Sequence, residues 1–471
     1  MWLLSTLGSQ KDRIMTSGTN AGRIVLLDGT PGGDESHAPI LTILRDTLAA
    51  GGAEVRTFAL RDMKLAHCIG CFGCWIETPG ICVQADAARE IAAAIVHSEM
   101  LVLFTPVTFG GYSPELKVMV DRFVQLTLPY FISYHREMHH PPRYVPMPRL
   151  VAVGVQRQTS HEEASIFKTL VGRNALNFHA PSHAAEVVSL GDDADAIRDR
   201  IQALLSRSDP CPMRDVVTAL LPLPQAPIMP VAHGAARRAL LIVGSPKVKR
   251  PSTSGVLGGY LLERLKQNGW ETQSSTLRAG LRREEEQAKL LTAVDAADLL
   301  ILAFPLYIDS LPFLMTKALQ VITKHRLENP NRLPQSVVAI SNNGFIEAHQ
   351  NNVALAICHQ FAKQSQIAWA GALAMGAGEA LSSGQPLRPP LARYAIKALS
   401  ITADALSKGH TVPHEAATLI GKSPFPIVLW RWLFARVGTS TFQRQASANG
   451  LSRKQMVDRP YAQSARISTT G

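Results

Sequence analysis

Two stretches of this chain carry the same pattern. "RIVLLDGTPGGDESH" (23–37) reads as an apolar, β-branched strand, a glycine-rich turn and the start of a helix. "RALLIVGSPKVKRPSTSGVLGGYLLERLKQNGWETQSSTL" (238–277) repeats strand, glycine-containing turn and helix, then adds a strand. "MLVLFTPVTFGGYSPELKVMVDRFVQL" (100–126) and "ADLLILAFPLYIDSLPFLMTKALQVI" (297–322) are both strand, proline-containing loop and helix. "RLVAVGVQ" (149–156) finds its counterpart in "SVVAISNNGF" (336–345). Gly29 corresponds to Gly244 and Pro106 to Pro305, so landmarks recur in one order and a duplicated domain is expected. Strands apolar throughout, alternating with helices, predict parallel sheets covered on both faces. The expected class is α/β, with two doubly wound parallel sheets in tandem and a helical tail.

The expected boundaries are an extension over 1–22, a first domain over 23–207, a linker over 208–236, a second domain over 237–408 and a tail over 409–471. The linker is marked by "PLPQAPIMPVAHGAARR", rich in Pro and Ala. In the tail, "FPIVLWRWLFARVG" reads as a short apolar helix, either lying on a membrane surface or packing across the two domains. Its narrow polar face favours the packing reading. No run approaches the roughly 18 to 20 apolar residues of a membrane span. The start has no basic segment before its apolar patch, so no signal peptide is expected. With six cysteines in 471 residues, four of them clustered, a cytoplasmic protein without a disulfide framework is expected.

The net charge of +11 needs a partner class. Lys and Arg are scattered rather than gathered in a basic stripe, which argues against nucleic acid and for a phosphorylated cofactor. Ligands of an open parallel sheet sit beyond the carboxyl ends of the strands. Three loops per half therefore matter. After the second half's first strand, Ser245, Ser252, Thr253 and Ser254 supply hydroxyls, Lys247 and Lys249 supply charge, and a helix follows: a phosphate cradle. The first half offers Thr30, Ser36 and His37, but also Asp34 and Glu35, which repel a phosphate unless turned to solvent. The loops 105–113 and 304–312 can line a flat ring, and Asn342, Asn343 and Gly344 form a turn able to reach a ring carbonyl.

"HCIGCFGCWIETPGICV" (67–83) sets Cys68, Cys71, Cys74 and Cys82 in C-x2-C-x2-C-x7-C spacing, with Gly70 and Gly73 between. That spacing allows an iron-sulfur cluster, which needs several thiolates on a tight loop, or zinc, or free redox thiols. In "SYHREMHHPPRY", His135 and His139 are one helical turn apart, a spacing metals use, but Pro141 and Pro142 end any helix at once. A lid or subunit contact is the expected role.

"GSPK…STS", "CIGCFGCW…PGIC", "PVTFGGYSPELKVMVDRF" and, more loosely, "SNNGFIEAHQN" resemble the flavodoxin-like NAD(P)H-dependent FMN reductases and iron-sulfur flavoproteins. The resemblance covers each half from first strand to last helix and implies two tandem flavodoxin-like domains. It implies that FMN's phosphate lies on Ser245, Lys247, Ser252, Thr253 and Ser254, and its ring by Pro305, Leu306, Tyr307, Asn343 and Gly344. In the first half it implies Thr30, Ser36, His37, Pro106, Val107, Thr108, Phe109 and Gly110. It implies a [4Fe-4S] cluster on the four cysteines, and a flavin lying at a dimer interface that a tandem chain could form within itself. The expected activity is a flavin oxidoreductase passing electrons from NAD(P)H to a quinone, another flavin or an iron-sulfur centre. The alternative is a non-catalytic duplicated scaffold that senses redox state or binds a partner protein.

Overall fold

The computed structural model describes residues 22–210, 237–247, 251–277, 281, 283–329 and 333–462. The expected extension and linker fall almost wholly outside them. Within them lie two five-stranded sheets and one small hairpin.

The first sheet is built from β1 (Arg23–Asp28), β2 (Glu54–Ala59), β3 (Met100–Pro106), β6 (Arg149–Gln156) and β7 (His183–Ser189), in the order β2-β1-β3-β6-β7. The second uses β8 (Arg238–Val243), β9 (Glu271–Thr276), β10 (Leu299–Pro305), β11 (Ser336–Asn342) and β12 (Ala368–Met375), in the order β12-β11-β10-β8-β9. All these pairings are parallel. Read from the second strand of each half, both sheets run 2-1-3-4-5, the flavodoxin-like order, which switches direction beside the first strand. Strands buried on both faces, such as "VVAISN", carry no polar alternation because helices cover each side. The edge strands "EVRTFA" and "ETQSST" alternate, having one exposed face.

The repeated glycine has the same physical cause in both halves. A Cβ on Gly29 would lie 2.6 Å from Leu116, and one on Gly244 would lie 2.6 Å from Met315. Leu116 and Met315 belong to the helices that follow the central strands, so each first strand can meet that helix only without a side chain at its end.

Equivalent helices join the halves. Pro114–Val120 packs on Phe313–Glu328, and His161–Phe178 packs on Asn352–Gln364. One hydrophobic cluster runs through both halves, with Phe109 edge-on to Phe361 at 5.7 Å. The arrangement is a pseudo-dimer within one chain. At its centre the buried Lys117 pairs with the buried Asp121 and donates to Tyr307 O at 2.7 Å. Asp121 also accepts from Phe313 N at 2.9 Å.

The histidine segment is not helical. β4 (Ile132–Tyr134) and β5 (Glu137–His139) form an antiparallel hairpin, turned by His135 and Arg136 at positive φ. One-turn helical spacing therefore does not apply to His135 and His139. The hairpin faces the second half instead: His349 Nε2 lies 2.7 Å from Glu137, and Gln350 donates to Met138 O.

The helix His414–Ile420 packs on Arg393–Ser407 and β12, inside the second half. The long helix Ile427–Ala448 then crosses both halves. Trp430 and Phe434 cluster with Met138, Ile346 and Ala377, while Phe442 meets Trp75 at 5.1 Å. Beyond it, Arg143 donates to Met456 O at 3.1 Å and Asp458 O at 2.7 Å. Among the described residues no helix is long and apolar enough to cross a membrane.

Candidate functional site

The two first-strand loops hold equivalent places in their sheets and differ in the side chains they carry. In the first half, Asp34 caps the following turn: it accepts from Ser36 N at 3.1 Å and Ser36 Oγ at 2.5 Å. Arg157 holds the same carboxylate at 2.6 Å. The Ser36 hydroxyl, foremost, lowers the Asp34 pKa despite an opposing burial effect. Buried Asp28 accepts from Thr30 N and Thr30 Oγ1, and Arg61 pairs with it. His37 is buried, and burial lowers its pKa. Of the two carboxylates that the sequence placed in this cradle, Asp34 sits on its donors and Glu35 is turned to solvent.

The first half's ring loop is a tight turn packed against the core. Val107 N donates to Val155 O, and Thr108 and Gly111 exchange hydrogen bonds across a tight turn. Phe109 and Gly110 are buried, and a Cβ on Gly110 would lie 2.8 Å from Ile166. Pro106 ends the strand beside them.

Among the described residues, no carboxylate caps the second half's cradle. Ser252 caps the helix Thr253–Gln267 by accepting from Gly255 N at 3.1 Å, and its Oγ lies 3.2 Å from Ser254 Oγ. Thr253 donates to Gly378 O at 3.3 Å, and buried Ser245 accepts from Lys247 N at 3.4 Å. Helix-start N–H groups and three neighbouring hydroxyls are a donor set for an oxyanion. Lys247 lies 3.2 Å from Glu379, in the segment after β12. That segment belongs to the rim and was not singled out from sequence.

Beside the second half's ring loops lies a cavity of about 90 Å³ lined by Leu306, Ile308, Asp309, Asn343, Gly344, Phe345 and Gln350. Val124, Thr127, His140, Asn177 and Phe178 of the first half complete it. Pro305 ends β10 at its edge, and Leu306 N donates to Asn342 O at 2.8 Å. Asn343 donates to Glu347 O, but the buried Oδ1 atoms of Asn342 and Asn343 have no hydrogen-bond partner. Such acceptors suit an N–H of a bound ring. The cavity is well below the roughly 300 Å³ of a pocket that encloses a drug-sized ligand, so a flavin ring must use the open edges of these loops too. Asn177, which lines the cavity, and Asn174, which donates to Ile308 O at 3.1 Å, are the residues sequence reasoning missed. Their helix carries polar residues along most of its length, so the sequence offered no signal that set these two apart.

The cysteine loop, though part of the first half, roofs the second half's site. A Cβ on Gly70 would lie 2.1 Å from Tyr307 Oη and 3.8 Å from Lys247 Cγ. His67 stacks on Phe313 at 5.9 Å. Burial first, then the nearby cysteines, push the Tyr307 hydroxyl well above its ordinary pKa. Within the loop, Gly73 N donates to Cys71 Sγ at 3.3 Å, and the Gly70 amide hydrogen-bonds Cys68. The buried Arg122 hydrogen-bonds Cys82, and Arg143 acts on Cys74. The four thiols are free. Burial pushes Cys68 up to about 12 and Cys74 well above its ordinary value, and thiols so raised are poor nucleophiles. Among the described residues no three His, Cys, Asp or Glu gather closely enough to hold one metal ion. Amide-to-sulfur bonds and buried arginines nonetheless suit thiolate ligands, whose charge they offset.

The fold defines a class: a tandem flavodoxin-like α/β protein with a hydroxyl-rich loop at the switch point of its second sheet. Comparison with known proteins gives similarities to part of the chain. Residues 23–176 match the model for NADPH-dependent FMN reductase. An iron-sulfur flavoprotein of Methanocaldococcus jannaschii is 30% identical over 100 residues, 21% of this chain and 51% of its own. An iron-sulfur flavoprotein of Archaeoglobus fulgidus is 26% identical over 96 residues, 20% of this chain and 43% of its own. The chain thus spans about half the length of the curated relatives it matches. A solved NAD(P)H:quinone oxidoreductase from Methanothermobacter marburgensis aligns at 13% identity over 39% of this chain and 94% of its own, with a TM-score of 0.32.

Proposed function

We propose that this chain is an FMN-dependent oxidoreductase, taking hydride from NAD(P)H and reducing a quinone, a flavin or a similar acceptor, with one FMN held by the second half. The observation that carries the reading is the contrast between the cradles. Asp34 sits on the donors of the first, while in the second Ser252 caps the helix and Ser245 and Ser254 bring neutral hydroxyls in place of a carboxylate. When bound, FMN supplies the hydride-accepting ring. Ser245, Ser252, Thr253, Ser254 and Lys247 would hold its phosphate, and Asn343, Pro305, Leu306, Tyr307 and Gly344 would take its ring. Tyr307 and Gly70 keep water from that side. The thiol loop is read as the ligand set of a [4Fe-4S] cluster, supported by its amide-to-sulfur bonds and by the cluster in the names of the relatives. The self-filled first half favours a scaffold role for that half alone: it builds one wall of the site and carries the cysteines.

Flavin, iron and sulfide per chain, measured after anaerobic purification, test the reading. One FMN is expected, with four irons and four sulfides if the cluster forms. Ser252→Ala with Ser254→Ala should remove most of the flavin, while Ser36→Ala leaves it. A colourless chain, or flavin lost only with Ser36→Ala, overturns the placement.

A further inference from the structure

The long tail helix does two different things along its length. From Trp430 onward it is pinned by Phe434, Phe442 and Asn449, the last donating to Ile76 O at 2.7 Å. Its first turn is bare. Ile427, Val428 and Leu429 are 48%, 78% and 46% exposed, and Trp432 is 56% exposed. Successive helix residues point about 100° apart, so three exposed neighbours in a row mean that the turn projects from the body. Phe425 stands beside it, exposed, between Pro424 and Pro426.

The charge around this tip has one sign. Residues 419–454 contain six Lys and Arg and no Asp or Glu. The guanidinium of Arg436 lies over the Trp432 ring at 5.3 Å, and Arg393 donates to Pro424 O at 3.4 Å. Lys422 is exposed four residues before Pro426. Glu347 is taken up by Arg431 at 2.9 Å.

We propose that this tip inserts into an anionic lipid surface. An apolar turn that projects, with a tryptophan on its flank and cations behind it, matches an acyl boundary under acidic headgroups. A flat protein face offers no room for three side chains pointing in different directions. The same helix presses Phe442 on Phe72 and Trp75, about 20 Å along its axis from the tip.

Sedimentation of the full chain with lipid vesicles tests this. Binding to a phosphatidylcholine–phosphatidylglycerol mixture should exceed binding to phosphatidylcholine alone by about tenfold, and fall as salt rises. Val428→Asp with Trp432→Asp should lower it about tenfold while the circular dichroism and melting temperature stay put. Lys422→Glu with Arg436→Glu, which leaves the apolar tip intact, should remove the preference for the anionic mixture. The inference is overturned if the chain stays in the supernatant with both vesicles, or if the aspartate variant sediments like the parent. It is equally overturned if those substitutions dissociate a dimer seen by ultracentrifugation, which would make the tip the seat of a second copy.

Discussion

Gly70 shows how much a single position can fix. Its φ of +63° is the left-handed region, and the space where a Cβ would go is filled by the Tyr307 hydroxyl at 2.1 Å. Gly70→Ala should therefore destabilise the chain by about 1–3 kcal/mol, through overpacking and the left-handed backbone together. Urea unfolding gives the number. Tyr307→Phe removes the clashing oxygen, so most of the overpacking cost should vanish in the double variant; strictly additive effects would show that the two do not meet. The role of this glycine was legible only in part. Its place between cysteines suggested a tight loop, but nothing in "CIGC" shows that a tyrosine from the other half lies against it.

At the scale of elements, the continuous apolar runs that became β1, β3, β6, β8, β10 and β11 were legible because a strand buried on both faces leaves no alternation to misread. The β4–β5 hairpin was not legible. Its strands are three residues each, and its turn uses His135 and Arg136 where glycine or asparagine would have announced it. Behind it, burial lowers His140 and His179 to about 4, so both are neutral at pH 7. Their nitrogens lie 2.7 Å from Tyr130 O and 3.1 Å from His140 O, so each keeps one N–H to donate. A histidine depressed in the folded state stabilises fully above its unfolded value, near 6.5, and less as pH falls toward 4. Each can forfeit up to about 3 kcal/mol across that window. The urea midpoint should fall between pH 6.5 and 4, and His140→Gln should flatten that fall. An unchanged slope would mean that the imidazole is not held neutral.

For the whole molecule, the decisive contacts join the halves, and these the sequence did not announce. The duplication was visible in Gly29 and Gly244. The pairing of helices that puts the cysteine loop over Tyr307 was not, since it depends on contacts nearly two hundred residues apart along the chain. Lys117 and Asp121 sit at that junction without water. Removing one partner of a buried pair leaves the other charge stranded, so Lys117→Met should cost about 3–5 kcal/mol. The double variant Lys117→Met, Asp121→Leu should recover much of it, read from melting temperatures. Equal losses in single and double variants would show that the junction does not depend on the pair.

In a symmetric homodimer every substitution strikes both copies at once, so neither active surface can change alone. Here one polypeptide carries both partners, and each gene segment drifts separately. That freedom lets a half whose first-strand loop is capped by its own Asp34 stand beside one whose loop carries Ser252 in that role.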